Sequence, residues 1–267
     1  MKLVTFASGS TGNCALASDN GCHVLIDAGI SMRRIQYALA AQGLTMGDIS
    51  GVLITHDHSD HISGLATMMK KHRVPIYAPQ TVAHHLCWTV VGIEENLREL
   101  PLMEKVRVGG FSVTAFPTPH DTQQSVGYRI EGSATLGFAT DMGCVTDDIL
   151  SGLTSSDAVL IEANHDPELL RHGKYPYFLK KRILSDNGHL SNDDCGKLAA
   201  YLAGHGTRYI VLGHLSRDNN APALAQQAVS AALEQAGLAP ELYVAPATDA
   251  LTVEFSGAAA HSGSKGA

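Results

Sequence analysis

A run of histidines and aspartates, His56-Asp57-His58-Ser59-Asp60-His61, follows directly on the apolar stretch Val52–Ile54. The stretch reads as a strand that stops at Thr55-His56, and α/β folds place their chemistry at such carboxyl ends of strands. Imidazole and carboxylate together suit zinc, and also manganese or iron. Four donors within six residues on a turn can surround a pair of ions, because a loop is free to aim them inward. The competing reading is a solvated His/Asp-rich turn, which the apolar strand before it argues against.

The rest of the chain alternates short Val/Ile/Leu/Phe runs with helical patterns, which is the signature of an α/β fold. Leu3–Ala7 and Ala15–Ala17 are expected strands around the turn Ser8-Gly9-Ser10-Thr11-Gly12-Asn13, and Asn20-Gly21 is a hairpin signal into Val24–Ile26. Ser31 caps an expected helix with Ile35, Leu39 and Tyr37 on its buried side, ended by Gly43. A helix is expected from Ser63 to Arg73, with Lys70, Lys71 and Arg73 near its negative end. Strands are expected near Ile76 and at Val106–Val108, Ser112–Phe116, Val126–Ile130, Thr135–Ala139, Ala158–Glu162 and Tyr209–Leu212. Asp193–Leu202 and Leu224–Gln235 read as helices, and Leu242–Phe255 as a final hairpin.

With no internal linker or repeat, residues 1–255 are expected to form one domain, and the Gly/Ala/Ser-rich tail 256–267 to be disordered. No stretch reaches about 18 uninterrupted apolar residues. Met1-Lys2-Leu3-Val4 runs straight into a strand pattern without a signal-peptide core, and the five cysteines form no C-x-x-C. A cytoplasmic protein with no membrane contact is the expectation. The formal net charge of −7, from 19 Lys+Arg against 26 Asp+Glu, argues against a generally basic surface but leaves room for a local basic patch. The sequence marks no protein partner and leaves the oligomeric state open.

Three further apolar runs close on a metal-binding residue: Phe116-Pro117-Thr118-Pro119-His120, Phe138-Ala139-Thr140-Asp141 and Ile210-Val211-Leu212-Gly213-His214. With H-x-H-x-D-H in front of them, in this order, the chain resembles metallo-β-lactamase-fold hydrolases over about residues 1–255. That resemblance implies an α/β fold of four layers, an αββα sandwich. It also implies two divalent metal ions, zinc first, with manganese or iron as alternatives. His56, His58 and His120 would hold one, Asp60, His61 and His214 the other, and Asp141 would bridge both. A shared water would be acidified towards hydroxide as the nucleophile, with Asp60 orienting it. Asp141 stands where the antibiotic-hydrolysing branch carries a cysteine.

Glyoxalases, lactonases and phosphodiesterases share these ligands, so other segments must choose between them. Glu162 in Ala158–Asp166 and His189 in Ser185–Asn192 resemble the pair that delivers a proton to the leaving oxygen in RNase Z-like phosphodiesterases. A plain helix-entry histidine is the competing reading of His189. From Arg171 to Arg182, five Lys/Arg and three aromatics form a basic, stacking-competent strip that includes Lys174, Lys180, Lys181 and Arg182. The same strip also reads as the solvated face of a helix. Ser8–Cys14, Asn164-His165-Asp166, Gly188–Asn192 and His214–Asn220, the last with Ser216, are similar to the bacterial YycJ/WalJ subgroup, whose members are described as 5′-exonuclease-like DNA hydrolases. That resemblance implies DNA as the substrate, with Lys174, Lys180, Lys181, Arg182 and Ser216 binding it. The 73 positions between Asp141 and His214 are too few for the inserted domain of β-CASP enzymes. Hydrolysis of a small metabolite, a cyclic phosphodiester, lactone or thioester, is the alternative that the net charge favours. His84 and His85, in a helical pattern with Leu86 and Trp88, are read as packing or surface residues.

Overall fold

The computed structural model describes residues 1–257, and the expected disorder of the tail from 258 to 267 lies outside them. Two seven-stranded sheets form its centre. The first runs in the order β14 (Leu251–Glu254), β1 (Lys2–Ala7), β2 (Cys14–Asp19), β3 (Cys22–Ile26), β4 (Ile49–Leu53), β5 (Ile76–Pro79), β6 (Leu97–Leu100). The second runs β13 (Glu241–Val244), β12 (Tyr209–Gly213), β11 (Ala158–Glu162), β10 (Thr135–Ala139), β9 (Val126–Glu131), β8 (Phe111–Pro117), β7 (Lys105–Val108). Both follow one plan. Pairing is antiparallel from β14 to β3 in the first and from β7 to β10 in the second, then parallel to the opposite edge.

The layering follows from the two-residue period of a strand. In β3, Val24 and Ile26 face the space between the sheets while Leu25 faces the outer helices. In β11, Ala158 and Leu160 face inward, and Val159 and Ile161 outward. Strands buried on both faces read as unbroken apolar runs, which is why they were visible in the sequence. Helices α1 (Met32–Ala41), α3 (Leu65–Lys71) and α4 (Gln80–Thr89) cover the first sheet with Ile35, Leu39, Leu65, Met68, Val82 and Leu86. Helices α5 (Asp147–Leu153), α8 (Asn192–Gly204) and α9 (Pro222–Gln235) cover the second with Ile149, Leu153, Leu198, Leu202, Val229 and Leu233. The result is the four-layer αββα sandwich, with each buried Leu, Ile or Val contributing about 1.5–3 kcal/mol.

Three expectations need correction. Leu242–Phe255 is not a hairpin: β13 pairs parallel with β12 and β14 pairs antiparallel with β1, so the two strands finish different sheets. Pairing with each other would have left β12 and β1 as open edges. Tyr37 lies on α1 but is 80% exposed, because Ile35 and Leu39 already fill its buried stripe. The helix expected from Ser63 instead begins earlier, as α2 (Ser59–Ile62), and resumes as α3 after Ser63-Gly64. Among the described residues no helix is long and apolar enough to cross a membrane.

Candidate metal centre

The start of α2 changes how the histidine run is held. His58 caps α2, and Asp60 and His61 lie in its first turn, so two of the four donors are aimed by a helix and not by a free loop. The turn between β1 and β2 and the loop after β3 together clamp that turn. Asn13 donates its backbone N–H to Asp60 O at 2.8 Å, and Ala28 donates to His61 O at 2.8 Å. Gly29 passes so close that an added Cβ would lie 1.5 Å from Asp60 O, so any other residue here would push α2 away.

The other donors sit just past strand ends: His120 after β8, Asp141 after β10 and His214 after β12, with Glu162 closing β11. Asp141 and His214 take left-handed backbone, φ 55° and 54°, and so does Asp27 after β3, at 60°. Such conformations cost a residue with a Cβ about 1–3 kcal/mol and persist where the surroundings over-determine them.

These turns bring seven side chains into overlapping sets. His56, His58 and His120 offer ligand atoms within 4.8 Å of one another, and so do Asp60, His61 and His214. Asp141 faces both: Oδ2 lies 3.3 Å from His61 Nε2, and Oδ1 lies 3.7 Å from His120 Nε2. His56 Nε2, His214 Nε2 and Asp141 Oδ2 are fully buried and have no hydrogen-bond partner. Leaving a buried polar atom unpaired costs about 1–3 kcal/mol, and here three of them converge on the same space. The donor set therefore fits two cations.

Four of the five imidazoles are fixed through their other nitrogen. His61 Nδ1 bonds the Asp27 carboxylate at 2.7 Å, and His214 Nδ1 bonds Glu162 Oε1 at 2.8 Å. His120 Nδ1 donates to Gly188 O at 3.1 Å, and His56 Nδ1 meets Thr55 Oγ1 at 3.1 Å. Burial disfavours charge on His61, but the carboxylates of Asp27 and Asp141 outweigh it and raise its pKa to about 10. His214 is likewise raised well above the usual histidine range, with Asp141, Asp60 and Glu162 outweighing burial. Burial wins at His56, which falls well below that range, and at His120, which is also lowered. Asp141 itself is held well below the carboxylate range, because the imidazoles of His214 and His61 outweigh its burial.

The Glu162 and His189 pair lies beside these sets. Glu162 Oε1 is 2.8 Å from His189 Nδ1 as well as from His214 Nδ1, while Oε2 accepts backbone N–H groups of Met142 and Leu190. Burial raises its carboxyl, yet the two imidazoles bring it down to about 2. Both Glu162 oxygens are thus engaged by the rings of His189 and His214 and by backbone N–H groups, and Glu162 also lies within ligand distance of Asp141, His189 and His214. His189 is raised, since Glu162 and Asp141 outweigh its burial, and its ring centroid stands 5.1 Å from that of His120 and 5.3 Å from that of His214.

The basic strip is divided. Lys174 is exposed in the loop between α6 (Pro167–His172) and α7 (Tyr177–Ile183), and α7 carries Lys180, Lys181 and Arg182. Lys180 Nζ donates to Arg171 O at 2.7 Å, and Arg182 pairs with Asp121, itself 3.2 Å from His120 Nε2. Ser216 is half-buried past His214, and its Oγ accepts from Asn219 N at 3.2 Å.

Asp27 is the residue that sequence reasoning passed over. It closes the run Val24-Leu25-Ile26 just as Asp141 closes Phe138-Ala139-Thr140, so the same strand-end signal was present. Thr55, which donates to Asp27 at 3.1 Å, and Asn13, whose Nδ2 lies 3.0 Å from His61 Nε2, carried no comparable mark.

Comparison with known proteins agrees with this geometry. A model of the beta-lactamase superfamily domain matches residues 23–215, a span that holds all seven donors. Exodeoxyribonuclease YycJ of Bacillus anthracis is 35% identical over 239 residues, 89% of this chain and 90% of that protein. Exodeoxyribonuclease WalJ of Streptococcus pneumoniae is 35% identical over 241 residues, with the same coverage of both chains. The Zn²⁺-bound PqqB structure from Methylobacterium extorquens superposes with a TM-score of 0.70 at 20% identity, covering 96% of this chain and all of that one. Taken with the sandwich and its convergent histidines and aspartates, these matches make the chain a member of the beta-lactamase superfamily and a metal-dependent hydrolase of that fold.

Proposed function

We propose that the protein is a dinuclear phosphodiesterase that degrades DNA as a 5′-exonuclease-like enzyme. His56, His58 and His120 hold one divalent ion, Asp60, His61 and His214 the other, and Asp141 bridges them. Zinc suits the imidazole-rich donors best, and manganese or iron also fit. When bound, the ions supply positive charge to the phosphoryl oxygens and make the attacking water more acidic. Everything else falls to the chain. Asp60 orients the water, His189 gives a proton to the departing sugar oxygen, and Glu162 keeps that imidazole turned and protonated. Lys174, Lys180, Lys181, Arg182 and Ser216 line the approach of the nucleic acid.

The observation that carries this reading is the 2.8 Å bond between His189 Nδ1 and Glu162, which orients that imidazole beside the three-residue ligand sets. Phosphodiester cleavage expels an alkoxide and needs such a donor, whereas a thioester expels a thiolate that leaves unaided. The two relatives named for exodeoxyribonuclease activity support DNA as the substrate.

His189→Ala tests it. The variant keeps both metals and loses about 10²–10⁴-fold in turnover on DNA, with a smaller deficit on a p-nitrophenyl phosphodiester, whose leaving group needs no proton. Equal losses on both substrates with the metals in place would remove His189 from the mechanism and favour the lactone or thioester alternative.

A further inference from the structure

Helix α4 supplies no donor to the metal sets, yet it is tied to them. His85 Nδ1 bonds the carboxylate of Asp57, the residue between His56 and His58. The other Asp57 oxygen accepts Thr122 Oγ1 at 2.7 Å. Asp121, next in the chain, pairs with Arg182 of α7. A polar chain, His85–Asp57–Thr122 and then Asp121–Arg182, thus follows the rim of the metal centre and joins α4 to α7. The protein has 26 acidic residues, but neither α4 nor α7 contains one. Both helices hold large aromatics in solvent: Tyr177 and Phe178 on α7 are 81% and 73% exposed, and Trp88 on α4 is 89% exposed. Trp88 lies on the same face of α4 as His85, one turn and about 4.5 Å along the axis.

We propose that α4 and α7 are the two walls of a nucleic-acid cleft, and that Trp88 stacks on an unpaired base of the strand being degraded. This rests on the nuclease reading above. The α7 wall answers the phosphates, since Lys181 there and Lys174 just before it have no ion-pair or hydrogen-bond partner among the described residues. The α4 wall offers a neutral π-face, which binds a base without regard to sequence. A base inside a duplex has both faces covered by its neighbours, so the indole takes one freed at a strand end or an overhang.

Trp88 is the sole tryptophan in the chain, so its emission reports on the site directly. In a His189→Ala background, where turnover is slow, an oligonucleotide duplex with an unpaired 5′ overhang quenches that emission saturably. In the otherwise native holoenzyme, Trp88→Ala raises KM for the overhang substrate about 5- to 150-fold, the range that losing one stacked base covers. Turnover of the p-nitrophenyl phosphodiester is unchanged, and Trp88→Phe recovers most of the loss. If the native enzyme degrades the duplex and Trp88→Ala does so equally well, with no quenching in the binding assay, the stacking site is overturned and the nuclease reading stands. If Trp88→Ala also loses the small substrate, its role is structural and the proposal fails. If the native enzyme hydrolyses the small substrate but neither binds nor cuts DNA, both readings fall together.

Discussion

The two ligand sets of the metal centre are built from the same residue types and backed in opposite ways. In the set of His56, His58 and His120, the buried rings lean on a hydroxyl and a backbone carbonyl, and burial keeps both below the usual histidine range. In the set of Asp60, His61 and His214, both rings lean on fully buried carboxylates, Asp27 and Glu162, and both are raised. Neutral imidazoles are ready to ligate as they stand. Carboxylate-backed imidazoles are stronger bases, so they hold a cation more firmly once it binds but must first give up a proton. The two halves of one centre should therefore differ in affinity and in response to pH.

Removing the shared group has the largest effect. Asp141→Ala loses at least one of two metal equivalents by elemental analysis, and activity falls by about 10²–10³-fold or more, the scale of a lost charge-stabilising contact. Retention of both metals would end the bridging assignment. Asp27→Asn is the sharper tool, because His61 is the one donor it bonds directly, His56 being reached through the Thr55 hydroxyl. Metal affinity at the Asp60, His61, His214 set drops about 10- to 100-fold, while the His56, His58, His120 set changes much less. A titration that weakened both sets equally would break the comparison.

The expected pH response is smaller. Without metal, His61 keeps its proton up to about pH 10, and Nε2 cannot ligate while protonated. Affinity at its set should rise at least about tenfold per pH unit between pH 7 and 9, because His61 and the likewise raised His214 must both give up protons as the ion binds. The His56 and His120 rings have already lost their protons at pH 7, so the first set should stay nearly flat over that range. Two parallel slopes would mean that the backing groups do not tune the donors.

The candidate donors were legible because His120, Asp141 and His214 each close an apolar run and the His56–His61 run directly follows one, and a strand buried on both faces announces its own end. What backs them was harder to see. Asp27 ends a run in the same manner, but a lone acid gives no hint that it serves a histidine 34 positions away. The charges of α7 were plain, yet the pairing of Arg182 with Asp121 joins residues 61 positions apart and depends on how loops meet above the sheets. The misread hairpin at 242–255 has the same origin: two strands near in sequence look like partners, and only the vacant edges of two sheets show otherwise.

Asp27, Asp141 and His214 share the left-handed backbone, and they lie at the ends of strands from both sheets. A chain in which one sheet has formed can present at most part of the donor set, and nothing yet compels these three residues into their costly conformation. Hydrolytic power is thus withheld until the sheets have docked. For a metal-dependent hydrolase, that makes complete folding the first safeguard against indiscriminate damage.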